Sequence, residues 1–88
     1  MQDQRLIRRA IYLAMKEVDT FAIQIDYTDE SGVKTRRIVS PIRQVDADRF
    51  DALCLCREEP RSFCYSRVSD VVLIHASEVQ MPAEIVVL

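Results

Sequence analysis

Tryptophan is absent from this 88-residue chain, histidine occurs once as His75, and glycine occurs once as Gly32. With only three prolines beside that glycine, the composition excludes collagen-like, linker-like and low-complexity proteins, which are rich in one or both residues. Long apolar runs are missing too: no stretch approaches the ~20 residues that a membrane helix requires. The N-terminal MQDQRLIRRA is charged where a signal peptide turns apolar. No membrane association and a cytoplasmic location are therefore expected. Catalytic signatures are also lacking, with no Gly-rich phosphate loop, no nucleophile elbow and no carboxylate pair set among apolar residues. A non-catalytic protein without a cofactor is the expectation.

What is present describes a globular chain: 49% hydrophobic and 30% charged residues, in a length that suits one domain with one core. The formal net charge of -2 hides an uneven distribution, because ten of the twelve bases are arginine. They gather at Arg36, Arg37 and Arg43 and again at Arg57, Arg61 and Arg67, while the acids are spread along the chain. Arginine offers a planar fork of donors matched to phosphate or carboxylate. The net charge argues against a general polyanion coat and leaves room for a local basic pocket.

Residues 2 to 18 carry a helical period. Ile7, Ala10, Ile11, Ala14 and Val18 form one stripe, widened by Leu6 and Leu13, and Arg5, Arg8, Arg9 and Lys16 fall largely outside it as a solvated face. From Thr20 the period becomes two, with Phe21, Ile23, Ile25 and Tyr27 opposed to Ala22, Gln24 and Asp26. TDESG then reverses the chain at Gly32, where positive φ costs least. The returning arm VKTRRIVSP ends at Pro41, which cannot donate to a ladder. DALCLC reads as a third strand, RSFCYS as a fourth with Arg61, Phe63 and Tyr65 on one side, and DVVLIHA as a fifth. One helix followed by five short strands, over about 20–76, predicts a mainly β fold closed into a small barrel, since closure removes exposed edges. The apolar tail 83–88, AEIVVL, is expected to pair with a barrel edge or with a second subunit.

The cysteines argue against a metal. Zinc sites favour C-x2-C pairs and four ligands, whereas Cys54 and Cys56 are one residue apart and Cys64 and His75 would have to complete the set. Three thiols in a non-secreted chain read as small core residues, and His75, alternating with apolar residues, reads as structural. The arginines fare better. Arg37 and Arg61 fall on separate strands, Arg67 closes the fourth, and a barrel brings such positions together. The competing expectation is that each pairs with a local acid such as Glu58, Glu59 or Asp70, in surface ion pairs of ~0 to 1 kcal/mol.

The order of these motifs resembles the WYL domain family. Its members run from a helix into a strand ending in an aromatic, a Gly-containing turn, a T-x-R-x-V-x-P-like segment, the Trp-Tyr-Leu triplet, and the pattern R-[ST]-F-x-x-x-R-[IV]. This chain has Ala10 and Ile11, Tyr27, Gly32, Thr35, Arg37 and Pro41, then Arg61, Ser62, Phe63, Arg67 and Val68, in that order. The match covers about residues 5 to 76. Asp48, Arg49 and Phe50 stand where the triplet falls, so only its last position stays apolar. The helix-turn-helix segment that commonly accompanies the domain is missing, and no duplex reading through a recognition helix is expected.

The resemblance implies an Sm-like, SH3-type five-stranded barrel that senses a negatively charged ligand, with single-stranded nucleic acid or a nucleotide in view, to control transcription or defence. Single strands are held by basic grooves with aromatic faces. Arg37, Arg61 and Arg67 are the candidate phosphate forks and Tyr27 and Tyr65 the candidate stacking faces, while Phe63 is expected to fill the barrel. The alternative is a protein-interaction or homo-oligomerisation module that uses a strand edge, the tail Ile85 to Leu88 and the helix stripe.

Overall fold

The computed structural model describes residues 2–88. One helix, α1 (Gln4–Lys16), precedes six strands: β1 (Phe21–Thr28), β2 (Lys34–Gln44), β3 (Arg49–Cys54), β4 (Glu59–Cys64), β5 (Val68–His75) and β6 (Val86–Val87). All pairings are antiparallel. The strands lie in the order β4-β3-β2-β1-β5, with β6 added beside β2. None of the helices among the described residues is long and apolar enough to cross a membrane.

The helix begins at Asp3, whose carboxylate accepts the Arg5 backbone N–H at 2.7 Å and so satisfies one of the free donors of the first turn. It ends at Lys16, with the Glu17 N–H closing on the Leu13 carbonyl. The expected stripe therefore loses Val18, which lies beyond the cap and is 50% exposed. Ile7, Ile11 and Ala14 point into the core and are fully buried. Each isoleucine so buried contributes about 1.5–3 kcal/mol of transfer free energy.

The predicted hairpin is present. Asp29 Oδ1 accepts from the N–H groups of Ser31 and Val33, both at 2.9 Å, and Gly32 adopts φ +88°. Pairing of Ile23 with Val39, Ile25 with Arg37 and Tyr27 with Thr35 places these residues on one face of the sheet. Through β3 and β4 that face continues with Pro41, Cys54, Ala52, Phe50 and Phe63, and it packs on α1. Pro41 does not end its strand. It sits within β2, next to a register shift before Arg43, where a missing N–H is tolerated.

Two features depart from the expected five-stranded barrel. The sheet has a sixth strand and is not closed, because β4 and β5 stand at opposite ends of the strand order. The break follows β4, where Tyr65–Arg67 form a 3-10 turn instead of prolonging the strand. Asp48 causes it: its backbone carbonyl accepts the Tyr65 N–H at 2.6 Å, and its carboxylate accepts the N–H and hydroxyl of Ser66, each at 3.0 Å. The sixth strand comes from the tail, which pairs with β2 at Thr35 and Arg36.

Candidate functional site

Five arginines among the described residues pair with carboxylates: Arg5 with Asp3, Arg8 with Asp48, Arg36 with Asp26, Arg43 with Asp51 and Arg49 with Asp46. The three arginines singled out in the sequence, Arg37, Arg61 and Arg67, make no such pair. Glu58, Glu59 and Asp70 neutralise none of them. This distribution follows from strand geometry. Arg36 faces Asp26 across the β1–β2 ladder, while Arg37, one residue on, turns to the opposite face.

Arg37 lies opposite Ile25 on the core face. Its Nε donates to Thr35 Oγ1 at 3.0 Å, but Nη1 is buried and finds no acceptor, the one such side-chain atom among the described residues. Buried polar groups in folded proteins are nearly always paired. Cys56 lies nearby: burial pushes its thiol up, and the Arg37 charge works against that rise. Among the described residues no three metal-ligating side chains gather.

Arg61 is exposed on β4, opposite Ala52. With Ile42, Arg43, Asp51, Pro60 and Ser62 it lines a shallow cleft of about 440 Å³. The Asp51 carboxylate there is already engaged, accepting from Ser62 Oγ at 2.6 Å and Arg43 Nε at 3.1 Å. These bonds hold its pKa below the usual carboxylate range, Ser62 contributing most. Asp51 thus pairs with Arg43 and not with Arg61.

Arg67, in the 3-10 turn, donates from Nη1 to the carbonyls of Asp29 at 3.0 Å and Thr28 at 3.5 Å. Those contacts fix the guanidinium against the β1–β2 turn without neutralising it. It lines a second cleft, of about 300 Å³, with Gln4, Thr28, Ser66, Val68 and Ser69. Most of the other side-chain donors here are committed within the fold, Gln4 Nε2 to the Tyr65 and Val68 carbonyls, Ser66 Oγ to Asp48 and Ser69 Oγ to the Asp26 carbonyl. The remaining guanidinium N–H groups of Arg67 are therefore chiefly what the cleft offers an oxyanion. Ser66 and Ser69 flank Arg67 in the stretch SRVS, and that local pattern is the signal that could have found them.

The two tyrosines are packing residues. Tyr65 is 2% exposed. Its ring lies 4.7 Å from that of Phe50, Arg8 Cζ stands 4.3 Å from its centroid, and its hydroxyl lies 3.4 Å from Gln44 Oε1. No face of it is left for a base, because the 3-10 turn directs it inward. Tyr27 is half-buried, edge-on to Phe63 at 5.0 Å, and its hydroxyl accepts the Cys64 N–H at 2.9 Å. Burial raises the pKa of both phenols. Phe63 fills the core as expected.

The five candidates do not meet in one hollow. Arg61 and Arg67 line separate clefts that share no residue, and Arg37 lines neither. Arg43 in the first cleft and Gln4, Ser66 and Ser69 in the second were not singled out from sequence.

This geometry defines a class of small domain: an open antiparallel sheet of six strands, capped on one face by an N-terminal helix, with several un-neutralised arginines. Among solved structures the chain is similar to proteasome accessory factor B/C (PafBC) of Arthrobacter aurescens, with a TM-score of 0.66 and 24% identity. The alignment covers 88% of this chain and 13% of that one. The likeness concerns the fold. No family model and no curated protein matches the sequence.

Proposed function

We propose that this chain is a non-catalytic regulatory module that binds an anionic ligand, single-stranded nucleic acid, through Arg37, Arg61 and Arg67. The observation that carries the reading is that these three guanidinium groups, like those of Arg9 and Arg57, have no carboxylate partner among the described residues, while the other five arginines do. A folded chain with a net charge of -2 and 14 acidic residues has carboxylates to spare. Leaving five arginines without them, three of these at the positions that the motif order singles out, suits an external anion.

Separation of Arg61 and Arg67 into two clefts favours a ligand whose phosphates recur in series. A mononucleotide reaches one cleft; a strand reaches both. The motif order resembling the WYL family supports a regulatory role, and the likeness to PafBC supports the fold that this order implies. Asp48, at the first position of the triplet, is engaged in fixing the 3-10 turn, and Arg49, at the second, is paired with Asp46. The ligand is therefore held by charge and hydrogen bonds, with little stacking.

Anisotropy of a labelled single-stranded oligonucleotide, competed with a mononucleotide and with duplex DNA, tests this. The reading expects saturable binding that a mononucleotide displaces only weakly. Equal displacement by the mononucleotide would point to a single cleft, and absence of binding at low salt would remove the proposal.

A further inference from the structure

The C-terminal segment is held in its present seat by very little. After the 3-10 turn Ala76–Glu78, residues 79–85 cross the second sheet face without regular structure, and β6 then pairs with β2. The ladder has two positions, Thr35 with Val87 and Arg36 with Val86, and the Leu88 N–H adds a bond to the Lys34 carbonyl at 2.9 Å. Of residues 79–88 only Ala83 is buried. Val86, Val87 and Leu88 remain 47%, 71% and 50% exposed, so the most apolar part of the segment gains little from being there.

The seat is also incompletely filled. Between the connector and the sheet lies a cleft of about 460 Å³, lined on one side by Gln24, Ile38 and Ile74 and on the other by Val79, Pro82 and Ala83. Few buried contacts and a short, exposed ladder mark a segment that opens at low cost. Opening leaves the β2 edge at Lys34–Arg36 with unpaired backbone groups and uncovers Ile38 and Ile74. Such an edge recruits a strand.

We infer that the strand suited to that edge is β6 of a second copy of this chain, exchanged reciprocally so that each β6 pairs with the partner's β2. The occupant is identified by sequence: the segment that fits this edge within one chain fits it between two. The connector permits it. Extended at about 3.3–3.6 Å per residue, residues 79–85 reach roughly 25 Å, comparable with the 30 × 25 × 22 Å extents of the molecule. The inference does not depend on the anion reading.

The test is a double variant, Thr35→Cys with Val87→Cys, oxidised at increasing protein concentration and read on a non-reducing gel beside each single variant and the unaltered chain, which control for Cys54, Cys56 and Cys64. Exchange gives a reductant-sensitive covalent dimer specific to the double variant, its fraction rising with concentration. A cross-link formed only within the monomer overturns the inference. In sedimentation, Val87→Asp shifts the unaltered chain's dimer to monomer while leaving the far-UV spectrum unchanged; a dimer that persists in this variant also overturns it.

Discussion

Arg36 and Arg37 are consecutive and point in opposite directions to opposite ends. Arg36 forks onto the Asp26 carboxylate with bonds of 2.8 and 3.1 Å, whereas Arg37 turns to the core face, bonds Thr35 and leaves Nη1 buried without an acceptor. The first is neutralised within the fold. The second keeps a buried donor without a partner in the fold.

The Arg36 fork makes stability depend on pH. Hydrogen bonding from Arg36, reinforced by its charge and that of Lys34, holds the Asp26 pKa below the usual carboxylate range against the opposing effect of burial. A depressed folded-state pKa gives stability that is present above the unfolded value of about 3.9 and lost as pH falls through the folded value. Asp26→Asn is expected to cost about 1–2 kcal/mol at neutral pH, discounted because Arg36 is 44% exposed. Urea unfolding from pH 7 to pH 2 checks this, and the difference between the two proteins should shrink below about pH 4.

Arg37 carries a cost in the free protein. Replacing it with methionine removes a buried donor that has no acceptor, at the loss of one bond to Thr35. The expected outcome is a gain of about 1 kcal/mol in unfolding free energy together with weaker oligonucleotide binding. A clear loss of stability would show that Nη1 has a partner within the fold.

Asp48 holds the turn that places Arg67. Asp48→Ala removes the carboxylate that accepts from the N–H and hydroxyl of Ser66, and its contact with Arg8 at 3.9 Å. A destabilisation of about 1–2 kcal/mol is expected, with weaker oligonucleotide binding because the turn that carries Arg67 loses its support. Denaturation and binding measured on the same variant check both.

The helix and the first hairpin are legible in the sequence because their signals are local. Ile7, Ile11 and Ala14 recur at the helical period, Phe21 to Tyr27 alternate, and Asp29 and Gly32 supply the turn chemistry. The strand RSFCYS reads two residues too long because alternation continues through Tyr65 and Ser66, while the capture that ends it comes from Asp48, distant in sequence. β6 is illegible for a similar reason: two valines specify nothing until β2 presents an edge. The separation of Arg61 from Arg67 depends on that same 3-10 turn, so one shared hollow was the natural expectation from an unbroken strand. The choice of Arg37, Arg61 and Arg67 came from motif order, and carboxylate pairing, which only the assembled structure reveals, separates them from the neutralised arginines.

The salt dependence of single-stranded oligonucleotide binding by Arg61→Ala/Arg67→Ala, measured beside the unaltered chain, tests the central claim most directly. Three phosphate contacts give a slope of log K against log salt of about -2 for a single strand, and losing two leaves a slope of about -0.7. The account predicts that flattening, with lower affinity and an unchanged fold by circular dichroism. A double variant that keeps both the affinity and the slope of the unaltered chain would contradict it.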